Sequence, residues 1–455
     1  MYKRFVWRSH SLKMMSVYCL TFLYGRRAAF FATILVIASW SNTPYTAQYL
    51  FSGKESTTMP THSASRPQLS TAFFGFVLIG VASGAWGVLL PSLSAYYHVD
   101  QTVVGFIFFA SATGYLLSAL STGLLMAKIG LRWYLVAGTA LFMLCCFILA
   151  MQPPFALVLV IRLLQGMAGA IIEAGLNMFL AALPNKIALL NYLHAFFGAG
   201  ALLGPLIASA ILALSWGWNS AFFAWTLLAF PLLLGLLALF RSPSADAVQE
   251  AQKEKKERRL LAALKIPQVW VATLFLLFYV GIEVSLGNWG YTFLLESRHM
   301  NTLLAGWIVS GYWLGLTVGR FVLNLLAERL HLGLSGLMYS CMGGIVLGIV
   351  IIWLLPGDVV SAVAFFLIGT SLGPIYPSTV GLLPNVVPSH LLSSAMGFLI
   401  GLSILGAALF PWLAGTLAQY TGIWSLLPYT LGLTLVMLVL WWALKYRSSE
   451  VSPAA

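Results

Sequence analysis

Two carboxylates, Glu173 and Glu283, lie inside long apolar stretches of this chain. A carboxylate held away from bulk water can take up and release a proton, give oxygen ligands to a cation, or accept hydrogen bonds from two solute hydroxyls. Glu173 belongs to a longer pattern. At roughly 100° per residue, Arg162, Gly166, Gly169, Glu173 and Asn177 fall on one face of a helix. A single charge in a bilayer interior costs at least about 2.5–3.5 kcal/mol. A stripe that keeps both an arginine and a glutamate therefore faces a water-filled cavity, or it holds a structural ion pair. Its glycines let a second helix or a ligand come close. Arg162 can pair with either glutamate. Asn177 and Asn288 are polar groups that need partners in a dry medium. Trp86, Trp289, Trp313 and Tyr376 offer aromatic planes on which a sugar ring could stack, whereas most other tryptophans read as interfacial anchors or packing. Arg320, near the inner end of its span, is expected to reach the headgroups.

The elements that must position these residues are membrane helices. Of 455 residues 60% are hydrophobic and only 8% charged, against about 25% charged in soluble domains. The net charge of +12 would suggest nucleic acid in a soluble protein. Here the lysines and arginines sit between apolar runs, which the positive-inside rule explains, so no nucleic-acid partner is expected. No phosphate-binding glycine loop, zinc spacing or nucleophile elbow is present. The reading is therefore of a non-enzyme without metal or other cofactor. Cys19, Cys145, Cys146 and Cys341 show no metal spacing, and no disulfide is expected.

Taken in order, residues 1–70 form an N-terminal extension. Either Met59 is the true start and residues 1–58 are upstream sequence, or the segment is disordered or lies on the membrane. Twelve spans follow, at 71–93, 103–125, 133–151, 155–181, 190–214, 218–240, 268–294, 302–326, 333–355, 359–381, 390–418 and 422–445. The fold class is thus an all-α membrane protein with twelve transmembrane helices. An N-terminal bundle of six (71–240) and a C-terminal bundle of six (268–446) flank the charged linker 241–267, and 447–455 is a tail. With both ends inside, the inner loops hold Lys128, Arg132, Lys186, the linker cluster, Arg329, Lys445 and Arg447, and the outer loops hold Arg298. That bias places both termini in the cytoplasm of a multi-pass protein of the cell membrane.

Two six-helix halves joined by a charged loop resemble the major facilitator superfamily, and local motifs agree. Gly123-Leu-Leu-Met-Ala127-Lys128-Ile-Gly130-Leu-Arg132 resembles that family's inter-helix motif G-x-x-x-D-R-x-G-x-R, a gating latch, with Ala127 at the aspartate position. Arg162-x-x-Gln165-Gly166 resembles the fourth-helix motif, whose arginine the family associates with proton coupling. Within the superfamily the chain is similar to the fucose permease and sodium-dependent glucose transporter group. Glu173-x-x-x-Asn177 resembles its fourth-helix pattern, and Asn191 to Gly200 with Gly204-Pro205 its fifth. Tyr279-Val-Gly281-Ile-Glu283 with Gly287-Asn288-Trp289 resembles its seventh, and Gly373-Pro374-Ile-Tyr376-Pro377 its tenth. Gly87 stands where the fucose permease carries a first-helix aspartate.

The resemblance implies a secondary transporter for a small polar solute, a sugar, working by alternating access and coupled to protons or sodium. Glu173, Asn177, Asn288, Trp289, Trp86, Tyr376 and Trp313 would contact the solute. Glu283, Arg162 and Glu173 would serve coupling, and Gly123, Lys128, Gly130 and Arg132 gating. The alternatives are an exporter of amphipathic or drug-like compounds and a transport-incompetent sensor. A monomer in the lipid bilayer is expected.

Overall fold

The computed structural model describes residues 64–240 and 261–450. The N-terminal extension with the question of Met59, most of the linker, and the last residues of the tail lie outside them. Among the described residues every regular element is helical. In lipid this follows from the backbone, whose N–H and C=O groups find no water and must be paired within each segment.

The first bundle comprises α1 (Arg66–Tyr97), a short α2 (Gln101–Val104), α3 (Phe106–Ala150), α4 (Phe155–Ala181), α5 (Lys186–Ala213) and α6 (Trp218–Leu239). The second comprises α7 (Pro267–Glu296), α8 (Thr302–Arg329), α9 (Leu334–Leu354), α10 (Asp358–Leu372), α11 (Ile375–Val386), α12 (Ser389–Ser403), α13 (Gly406–Thr421) and α14 (Leu426–Glu450). Local signals set several starts. Ser65 and Gln68 form a reciprocal capping box ahead of α1, Asp100 caps α2 and Asn301 caps α8, each satisfying amides that have no partner within the first turn.

Among the described residues eleven helical stretches are long and apolar enough to cross a membrane. The longest, Gln101–Ala150, holds two of the twelve expected spans. They join at Gly130, where φ 75° and ψ 158° interrupt the helix, a conformation open to glycine and closed to side chains with a Cβ. The tenth span is likewise divided into α10 and α11 by Gly373-Pro374, where proline withdraws a backbone donor. Large apolar side chains such as Leu120, Leu354 and Val359 are exposed, as expected of a lipid-facing surface.

Arg66, Lys128, Arg132, Lys186, Lys265, Arg329 and Lys445 lie at or near helix ends on one side of the molecule, the basic end. The opposite end carries Asp100, Glu296, Arg298 and Asp358.

The bundles repeat one packing scheme. In the first, Gly114 of α3 abuts the Leu163 carbonyl and Gly166 of α4 abuts that of Ser111. In the second, Gly315 of α8 abuts the Phe366 carbonyl and Gly369 of α10 that of Tyr312. Counting seven residues on from Gly166 and from Gly369 gives Glu173 and Tyr376, which are therefore equivalent positions of an internal repeat. The bundles meet at Gly87, where an added Cβ would stand 2.6 Å from the Asn288 carbonyl oxygen and 2.7 Å from that of Gly287. Toward the end opposite the basic one, the Gln101 amide donates to Gln419 Oε1 at 3.0 Å. Trp412 packs on Phe106 and Phe109, and Gly306 abuts Ser209. The early part of α3 packs on α13 and makes no comparable contact with α12. The cleft between the bundles thus closes at that end and opens at the basic end.

Candidate functional site

Both carboxylates are half-buried in helices whose neighbouring positions are packed. From α3, the Tyr115 hydroxyl donates to Glu173 Oε2 at 3.3 Å. Four residues on, Asn177 Nδ2 donates to the Glu173 carbonyl at 3.0 Å, so one of the amide's two N–H donors is spent on its own helix, and its second N–H and its oxygen are left.

Glu283 has a different surrounding. Tyr279, one turn earlier on α7, and Arg320 of α8 are its electrostatic neighbours, and the Tyr312 hydroxyl donates to its backbone carbonyl at 2.9 Å. Arg320 therefore does not extend to the headgroups, as its place near a helix end suggested. It is half-buried, and its field reaches Glu283, Tyr376 and, across the bundle interface, His194 of α5. Its position is fixed by a close approach of α8 to the end of α10, since an added Cβ on Gly373 would stand 2.6 Å from the Arg320 amide nitrogen.

Tyr376 ties the two halves together. At the start of α11, just past the Gly373-Pro374 break, its hydroxyl lies within electrostatic reach of both Glu173 and Glu283. One carboxylate from each bundle, two hydroxyl donors and a guanidinium thus border one region between the bundles. Such a set can accept hydroxyls, donate to them, and exchange a proton or a cation.

Other expected residues are placed differently. Arg162 pairs with neither glutamate. On one stripe with Glu173 it is still eleven residues away, about 16 Å along the axis. Its guanidinium carbon lies 3.8 Å from the centre of the Trp86 ring, Nη1 donates to Gln165 Oε1, and Gln165 Nε2 in turn donates to Cys146 Sγ at 3.3 Å. Trp86 is thus the partner of an arginine and is itself buried. Trp289, expected to meet the solute, is enclosed at 1% exposure. Its indole N–H donates to the Pro411 carbonyl at 2.7 Å and its ring packs on Phe108, so in this conformation it braces the closed end. Asn288 Nδ2 donates to the Val284 carbonyl on its own helix. Trp313 is half-buried and presses its ring toward Gly287, with no hydrogen-bond partner for Nε1.

In the latch motif, Gly123 borders open space, Lys128 is exposed, and Gly130 makes the joint. Arg132 Nη2 donates to the Leu237 carbonyl at 2.5 Å, capping the last turn of α6. Tyr115, Tyr279, Tyr312 and Arg320 are the neighbours that sequence reasoning did not connect to the carboxylates. Tyr279 and Arg320 stood nearest to recognition, the first four residues before Glu283 and the second a charge inside a span.

Comparison with known proteins places the chain. It is 25% identical over 442 residues to Bypass of stop codon protein 6 of Saccharomyces cerevisiae, covering 89% of this chain and 88% of the relative. It is 22% identical over 376 residues to the glucose/mannose transporter GlcP of Bacillus subtilis, covering 80% and 90%. The nucleoside transporter NupG superimposes with a TM-score of 0.69 at 14% identity, over 84% of this chain and 99% of that one, a likeness of fold. Residues 72–400 match the family description Major Facilitator Superfamily. The chain belongs to the Major Facilitator Superfamily, and it is a membrane transporter rather than an enzyme.

Proposed function

We propose that this protein is a secondary transporter for a small polar solute, a sugar, coupled to a proton or a sodium ion. The observation that carries the reading is the position of Tyr376, whose hydroxyl lies within electrostatic reach of Glu173 in one bundle and Glu283 in the other. Two acids from opposite halves then bear on one solute, as alternating access about a site between repeats requires. Glu173, with Tyr115 and Asn177, holds solute hydroxyls. Glu283, faced by Arg320, carries the coupling chemistry. Arg162 acts on coupling indirectly, by fixing α1 to α4 through Trp86. The basic end is cytoplasmic by the positive-inside rule, so this conformation faces inward. The relation to the glucose/mannose transporter GlcP supports a hexose.

Uptake of labelled D-glucose and D-mannose into proteoliposomes, with and without imposed proton and sodium gradients, tests the proposal. Accumulation that collapses with the gradient is expected. Extrusion of an amphipathic dye with no hexose uptake would replace the reading with an exporter.

A further inference from the structure

α1 and α4 touch at two levels and part between them. Toward the closed end, Trp86 of α1 meets Arg162 of α4. Toward the basic end, an added Cβ on Gly75 of α1 would stand 2.7 Å from Leu176 Cδ1 of α4. On α4 these contacts are fourteen residues apart, about 21 Å at 1.5 Å per residue. Gly169 lies midway between them and on the same face. A Cβ there would meet no heavy atom within 4 Å.

That emptiness is local. Three residues earlier, Gly166 abuts the Ser111 carbonyl, and six residues later a Cβ on Gly175 would stand 2.6 Å from Leu135 Cδ2. Close packing explains those glycines and does not explain Gly169, although glycine weakens a helix interior. α1 carries the matching sign. From Thr71 to Ser94 every residue is buried or half-buried except Ser83, which is exposed and lies about 60° round the helix from Trp86. Glu173 follows Gly169 by one turn on the same face, and Arg162 stands at the closed end, 7% exposed, with Nε lacking any hydrogen-bond partner.

We propose that the space between α1 and α4 at Gly169 and Ser83 is the seat of the solute ring in the first bundle, and that these two small residues set its size and hydroxyl pattern. Gly169 leaves room for a ring, Ser83 offers a hydroxyl on one side, and Glu173 with Tyr115 engages hydroxyls toward the basic end. The occupant is a neutral polyhydroxylated ring of hexose size. The assignment rests on the reading of the protein as a sugar transporter.

Two glycine variants and one serine variant test it. Gly169→Leu folds, because its side chain enters open space, and purifies as a monodisperse species like the parent; it abolishes D-glucose uptake. Gly166→Leu, driven into backbone, fails to purify. Removing one neutral hydrogen bond, Ser83→Ala raises the KM for D-glucose by roughly three- to tenfold at similar expression. In a Cys19→Ser background, Gly169→Cys reacts with a membrane-permeant maleimide beyond the labelling of its parent, whose remaining Cys145, Cys146 and Cys341 are buried, and D-glucose slows that reaction. Folded Gly169→Leu with parental uptake kinetics would overturn the proposal, as would a Gly169→Cys thiol that reacts no faster than the native cysteines. If the parent carries no hexose, the sugar reading fails by itself, and the labelling of Gly169→Cys still decides whether the space exists.

Discussion

The Arg162 guanidinium lies over the Trp86 ring at 3.8 Å and has no carboxylate partner among the described residues. A cation in the interior of a first-bundle helix is held by an aromatic face and by the Gln165 amide, which a neighbouring thiol in turn anchors. Desolvated cation–π contacts reach about 2 kcal/mol. Trp86→Leu is therefore expected to lower thermal stability in detergent by about that amount, and Trp86→Phe by about half of it. Equal losses for the two variants would mean that packing volume, and not the ring face, holds Arg162.

Gly87 is the closest backbone approach of the two bundles described above. Gly87→Val drives side-chain atoms into the Asn288 and Gly287 carbonyls and can be relieved only by parting α1 from α7. The expected result is a shift toward the conformation open at the end opposite the basic one. A cysteine at Thr292, 2% exposed behind this contact, should then react with an impermeant maleimide from that side several times faster than in the parent background. Unchanged labelling would show that the seal does not depend on this contact.

The orientation is equally open to test. In right-side-out vesicles a cysteine at Asn301 should react with an impermeant maleimide from outside, and one at Leu332 only after the inner face is exposed. The reverse pattern would invert the assignment of the basic end.

Much of the fold was legible in the sequence because hydropathy and positive-residue bias are local properties of a run. The Gly130 joint was less visible, since helix continues on both sides and only the backbone angles betray the break. The break before Tyr376 was readable, because Gly373-Pro374 removes a donor whatever the surroundings. The carboxylates themselves stood out as charges in apolar stretches, whereas their partners did not. Arg162 invited pairing with Glu173 because both lie on one stripe, yet shared phase says nothing about the three turns that separate them. Arg320 and Tyr115 reach the carboxylates from helices remote in sequence, through glycine-mediated contacts that no spacing rule encodes. Trp289 belonged to a recognisable motif, but which way its indole turned depended on the Pro411 carbonyl, more than a hundred residues away.

The division of labour between the two acids is the central claim, and one comparison tests it most directly. Glu283→Gln keeps the shape and most of the hydrogen-bonding ability of the side chain and removes its charge and titration. In proteoliposomes it should abolish accumulation of labelled D-glucose against its gradient while sparing exchange between equal internal and external pools, which needs no net ion movement. Glu173→Gln should weaken solute binding and so reduce both activities. Gradient-driven accumulation by Glu283→Gln at the parental level would contradict the account.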